Sequence, residues 1–328
     1  MKTKNYFILT IILLSFSLHC TENVDIFYST TFLKNYVAIR ACLKARNFKE
    51  VTFKTDDNLT LHGLFLERPA AKCNVIVCAG WLPGKQEDMA TFYALLPQYC
   101  NILFFDARGH GNSDGSLLWK LWQYGIHEYK DILGAISYIN DVNNLPIIIV
   151  GICSGAFNAA HALISLEKNN QHITSRVRGL VFDSGWASVT EISRTAPPAG
   201  LAKRFSYPLT FIYKTKKDAK QSYLYQLSTF LTRINYKIMY QLCIKPLVGL
   251  YEQTTTLFDK MHHITSPILF IHSHDDTYAI KHDAWKLANL TTHKVCWWIK
   301  QSFHAKHHLI HKKLYKEKVT AFIENIIE

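Results

Sequence analysis

Pro146-Ile-Ile-Ile-Val-Gly-Ile-Cys-Ser-Gly-Ala-Phe-Asn-Ala-Ala160 is a short β-branched apolar run that ends in Gly151-Ile152-Cys153-Ser154-Gly155 and passes at once into alanine-rich sequence. It reads as strand, sharp turn, helix. In a turn of this kind the middle residue is strained, and bulky neighbours two positions to either side would collide with the adjoining strand and helix. The small residues Gly151 and Gly155 therefore bracket Cys153 as the exposed nucleophile position. Ser154, one residue off the apex, is the rival nucleophile. Its backbone N–H falls near the first turn of the helix, where unpaired amides stabilise an oxyanion or a thiolate. Taken alone, the same pattern also describes a buried structural cysteine after a core strand.

Outward from this stretch, strands and helices alternate. Glu50–Thr55 and Leu59–Leu66, joined by Asp56-Asp57-Asn58, read as a hairpin. Strands are expected at Asn74–Ala79, Asn101–Asp106, Pro146–Gly151, Val177–Asp183, Pro267–His272 and Lys294–Lys300. Helices are expected at Gln86–Leu96, Gln123–Asn140, Cys153–Glu167, Lys281–Leu290 and Leu314–Ile327. Near-continuous apolar strands in this rhythm predict an α/β fold: a mostly parallel eight-stranded sheet flanked by helices, with reactive groups at the carboxyl ends of the strands.

The rhythm breaks between residues 187 and 260, where prolines and a long aromatic helical stretch, Tyr223–Leu242, predict a helical cap inserted between residues 50–186 and 261–328 of the core. Basic residues of that insertion, among them Lys203, Arg204, Lys214 and Lys220, outnumber its acids. They read first as a solvated face and second as a site for an acidic substrate or anionic lipid. Residues 21–49 read as a helical lead-in, with Phe32, Tyr36, Ile39 and Leu43 at helical spacing.

The basic start and the apolar run Phe7–Leu18 have the form of a bacterial-type export signal or N-terminal anchor over residues 1–20. Export, with membrane association through that segment, is the expected location. His19 before Cys20 argues against a lipoprotein cleavage site.

The chain has 328 residues, enough for one large core with an insertion, and a formal charge of +12 spread along its length. That balance suits anionic surfaces or substrates, but no nucleic-acid motif accompanies it. The eight cysteines form no CxxC pair and have no zinc spacing, and most fall in or beside strands as small hydrophobes do. An unpaired Cys153 stands in tension with an oxidising compartment.

A nucleophile of this kind needs a base, and the base an orienting acid. Asp276 lies just past one expected strand and His304 just past the next, giving the chain order nucleophile, acid, histidine. Asp275 and Asp183 are fallback acids. His304, His307, His308 and His311 have helical-turn spacing suggestive of a metal site, but too few anionic neighbours; His307, His308 and His311 read instead as an exposed, partly charged helix start.

With these residues in place, the sequence from Glu50 to Glu328, apart from the cap, resembles the α/β-hydrolase superfamily. Ala79-Gly80-Trp81-Leu82-Pro83-Gly84 is similar to its His-Gly-x-x-x-Gly oxyanion loop, with Ala79 in place of histidine. Asp106-Ala-Arg-Gly-His-Gly-Asn-Ser113 resembles the turn after the fourth strand, which makes Arg108 and His110 structural residues. His272-Ser273-His274-Asp275-Asp276 resembles the His-Gly-x-x-Asp acid loop, with Ser273 in place of glycine.

The resemblance implies a Cys153, His304, Asp276 triad, an oxyanion hole from the amides of Trp81 and Ser154, no metal or organic cofactor, and a small acyl substrate. Cysteine at the elbow is similar to dienelactone hydrolases and some acyl-CoA thioesterases or acyltransferases, and points to an ester or thioester hydrolase. A peptidase resembling serine aminopeptidases or prolyl oligopeptidases, an acyltransferase, and a decayed binding protein are the alternatives.

Overall fold

A computed structural model of the chain describes residues 38–80, 87–115, 126–169, 171–196, 223–249 and 255–328. Eight strands form one sheet: β1 (Lys49–Lys54), β2 (Thr60–Leu66), β3 (Cys73–Cys78), β4 (Cys100–Phe105), β5 (Ile147–Ile152), β6 (Val177–Asp183), β7 (Ile268–Ser273) and β8 (Lys294–Ile299). Their spatial order is β1-β2-β4-β3-β5-β6-β7-β8. The first two strands form the hairpin, with Asn58 in the left-handed region at φ 66° and Thr55 N–H bonded to the Leu59 carbonyl at 3.0 Å. β2 runs antiparallel to β4, and every later pairing is parallel. The fold is that of an α/β-hydrolase.

Strands β3 to β7 are mostly apolar because both faces are covered, and their side chains divide by the two-residue period. Ile147 and Ile149 of β5 face α2 (Tyr129–Val142) and α3 (Ser154–Asn169). Ile148, Val150 and Ile152 face the opposite layer, made by α1 (Glu87–Leu95) and α6 (Lys312–Ile327). β8, an edge strand, exposes Lys294, Val295 and Cys296. Cys296 is thus an exception to the buried pattern of Cys73, Cys78 and Cys100.

Element ends differ from the sequence reading by a residue or two, except at α2, which begins at Tyr129 rather than Gln123, and at the stretch expected over Tyr223–Leu242, where the α-helix ends at Met239 and helical turns run on to Gly249. Between β6 and β7 the described residues include α4 (Tyr223–Met239), which gives way to a π-helical turn at Tyr240–Ile244 and a last helical turn at Lys245–Gly249. The widened turn lies just before Pro246, which has no N–H to donate and whose ring crowds the carbonyl four residues back. Tyr240 donates to the Thr190 carbonyl at 3.2 Å, and Tyr236 to that of Ser193. Residues 1–37 and 197–222, with the export segment and most of the insertion's basic residues, lie outside the described residues. Helix 38–44 continues the expected lead-in and buries Leu43. α5 (Lys281–Leu290) packs beside β7.

Candidate active site

β5 ends at Ile152 and α3 begins at Ser154, so Cys153 makes the whole turn, at φ 59°. That left-handed conformation costs a non-glycine residue about 1–2 kcal/mol and persists only where its surroundings fix it. Here the Cys153 N–H is bonded to the Asp183 carbonyl of β6 at 2.8 Å, and its own carbonyl accepts from Ala156 and Phe157. A Cβ on Gly151 would lie 2.5 Å from the Ala156 Cα, and one on Gly155 only 2.1 Å from the Cys78 carbonyl oxygen. The glycines are required by these close approaches, and Cys153 is left half-buried at the strand end. Ser154 is buried in the first turn of α3, a helical position whose N–H has no partner within the helix.

Asp276 and His304 come to this point from the next two strand ends. The Asp276 side chain is fully buried, yet its Oδ1 accepts from the amides of Tyr278 (2.8 Å) and Ala279 (3.0 Å), and its Oδ2 pairs with His304 Nδ1 at 2.7 Å. Burial alone would raise the carboxyl; the His304 contacts and the amides outweigh it and hold Asp276 below its ordinary range. An ionised Asp276 fixes the proton on Nδ1, which turns Nε2 toward Cys153 Sγ at 3.1 Å. Burial would lower His304, but the neighbouring Cys153 and Asp276 more than reverse this, pushing the imidazole up to about 9. The Tyr278 ring stacks on His304, with centroids 5.2 Å apart. His272 lies behind, its Nε2 on the Ala279 carbonyl at 2.9 Å, and burial lowers it from its ordinary value.

The fallback acids have other partners. Asp275 accepts from the Gln301 amide at 2.8 Å. Asp183 accepts from Ser184 Oγ at 2.8 Å and from the Tyr315 hydroxyl at 3.0 Å.

The expectation of exposed histidines after His304 is corrected. His307 and His308 are fully buried, and His311 is half-buried. His307 Nδ1 meets Ser302 Oγ at 2.7 Å, while its Nε2 meets Ser184 Oγ at 3.0 Å and lies 3.5 Å from Asp183. Desolvation lowers it despite the nearby carboxylates. Ser184 Oγ also accepts the Ala305 amide at 3.0 Å, and the Ser302 carbonyl accepts from Ser273 Oγ at 2.8 Å. These bonds tie the ends of β6 and β7 to the loop that carries His304. The histidine spacing gave no sign of this inward turn, which depends on left-handed backbone at Ser184, Gln301 and Ala305. His308 instead packs against the rings of Phe92 and Tyr315. Among the described residues no group of three or more His, Cys, Asp or Glu side chains is arranged to hold a metal ion.

Trp81 lies outside the described residues. Arg108 bonds bidentately to Asp57 (2.8 and 3.0 Å) and to Asp131 (2.6 Å), while His110 Nδ1 meets the Arg108 carbonyl at 3.1 Å. Both contacts serve the turn. Asp106 of the same motif receives Arg40 from the lead-in helix at 3.1 Å.

A sequence profile described as "Serine aminopeptidase, S33" matches residues 71–310. No curated protein matches the chain by sequence. Among solved structures, an esterase of Pyrococcus furiosus, Pf2001, superposes with a TM-score of 0.60 at 17% identity, covering 86% of this chain and 93% of that one. A membrane phospholipase A described as a bacterial virulence factor gives 0.59 at 14% identity, covering 98% and 99%. Est1E of Butyrivibrio proteoclasticus, solved with ferulic acid bound, gives 0.54 at 14%, covering 84% and 99%. At these identities the structural likeness speaks to the fold.

Proposed function

Since the chain belongs to the serine aminopeptidase (S33) family of α/β-hydrolases, we propose that it hydrolyses carboxylic esters or thioesters through a covalent acyl-enzyme on Cys153. The observation that carries this reading is the hydrogen-bonded chain from Asp276 Oδ2 through His304 to Cys153 Sγ, 2.7 and 3.1 Å in its two links. In the reaction, the thiolate attacks the acyl carbonyl and the Ser154 amide, at the start of α3, helps to hold the oxyanion. His304 then gives its Nε2 proton to the departing alkoxide or thiolate as the bond to the acyl carbon breaks. Water, deprotonated by the now neutral His304, attacks the thioester; the acid leaves and the thiol is restored. An acyl substrate of either kind suits cysteine because its leaving group departs more readily than an amine.

The family name favours a second reading, aminopeptidase activity. A panel of short-chain esters, thioesters and aminoacyl amides, assayed with wild type, Cys153→Ala and Ser154→Ala, separates the two. Turnover of esters or thioesters lost only in Cys153→Ala is the expected result. Turnover confined to the amides transfers the assignment to a peptidase, and turnover lost only in Ser154→Ala removes Cys153 from the chemistry.

A further inference from the structure

The helix α4 and the turn after it bury one face and expose the other. Among the described side chains of this segment Tyr236 and Tyr240 are buried, docked on the carbonyls of Ser193 and Thr190. Opposite them, Leu227, Phe230, Leu231, Ile234, Ile238 and Leu242 recur at three- and four-residue spacing and are exposed, Phe230 by 59% and Leu242 by 73%. An apolar stripe at this spacing ordinarily faces a core. Here it faces outward.

We infer that this stripe lies on a lipid surface carrying anionic headgroups. Charge decides between lipid and a second copy of the chain. Residues 223–249 carry three basic residues, Arg233, Lys237 and Lys245, and no acid. Lys237 and Lys245 are exposed on the same helical segment. Two copies meeting along residues 223–249 would bring these like charges together with no carboxylate of that segment to pair them. A bilayer surface satisfies both features at once, taking the apolar side chains between its lipids and the lysines at its phosphates. Among the described residues no helix is long and apolar enough to cross a membrane, so the contact is one of lying on the surface. The apolar run Phe7–Leu18 behind the basic Lys2 and Lys4 has matching chemistry at the other end of the sequence. The inference is independent of the chemistry proposed for Cys153.

Because that N-terminal run could bind lipid by itself, the test must read the helix locally. Amide hydrogen exchange of residues 223–249 in the full chain would be compared with vesicles of phosphatidylcholine containing phosphatidylglycerol, with pure phosphatidylcholine, and without lipid at rising protein concentration. Exchange slowed about threefold or more by the anionic vesicles alone, and restored in the double variant Phe230→Glu, Leu242→Glu, is the expected result. Unchanged exchange in vesicle-bound protein would overturn the inference, as would equal slowing by both vesicle types. Slowing that grows with protein concentration in the absence of lipid would assign the stripe to a second copy and overturn it as well.

Discussion

Two histidine–aspartate pairs stand side by side, their aspartates at neighbouring strand ends and their histidines three residues apart after β8, and they do opposite things. His304 and Asp276 form a chain that reaches outward to Cys153 Sγ, and the imidazole is pushed up to about 9. His307 and Asp183 face inward, joined through Ser184, and burial lowers that imidazole. Residue type does not separate them; the third partner does. A thiolate stabilises an imidazolium, whereas two serine hydroxyls can serve a neutral ring with one donor and one acceptor nitrogen. On the proposed chemistry the outward pair moves a proton, and the inward pair holds still the loop from which the first one works.

The largest effect belongs to the outward pair. His304→Ala or Asp276→Asn should lower kcat/KM for the best ester or thioester by about 1,000- to 10,000-fold, with the melting temperature changed much less. His307→Ala should show the reverse pattern. Loss of the ring strands Ser302 Oγ in the core and leaves Ser184 Oγ with only Asp183 and the Ala305 amide, and denaturant unfolding should register about 2–3 kcal/mol of destabilisation, with activity per folded molecule falling less than tenfold. An activity loss in His307→Ala as large as in His304→Ala, at retained stability, would erase the distinction.

The pH dependence sharpens the same contrast. His304 is raised on folding, so its contribution to stability is complete below its ordinary 6.5 and is lost as pH climbs through about 9. His307 is lowered, so the unfolded chain takes up a proton first and stability falls as pH drops below 6.5. Melting curves across pH should therefore lose part of their alkaline decline in His304→Gln and part of their acid decline in His307→Gln. Asp276, held low, adds stability that is present above 3.8 and fades below it. The smallest effect is expected at Tyr278, whose ring stacks on His304: Tyr278→Leu should cost about 3- to 10-fold in kcat/KM, the worth of one aromatic contact.

Much of this was legible in the sequence because it follows from local rules. The apolar runs mark β3 to β7, since strands covered on both faces admit little else. Gly151 and Gly155 mark the elbow because a Cβ at either would strike backbone, and strand ends bring Asp276 and His304 to the same edge. The inward turn of His307 was not legible. It depends on Ser184 and Ser302, distant in sequence, and on positive φ at serine, glutamine and alanine, residues that give no hint of it. Tyr278 was missed for a related reason: its amide and its ring act on different partners, Asp276 and His304, and neither contact has a sequence spacing. The periodicity of Tyr223–Leu242 announced a helix correctly, but an apolar stripe looks the same in sequence whether it meets a core or the outside.

The most direct test of the central claim is to trap the acyl-enzyme: mix protein with the best thioester or ester, quench in acid within the turnover time, and map the adduct by peptide mass spectrometry. The account predicts the acyl mass on the peptide containing Cys153, fragmented to Cys153 and absent in Cys153→Ala. An adduct on Ser154, or acid production in Cys153→Ala at the wild-type rate, would contradict it.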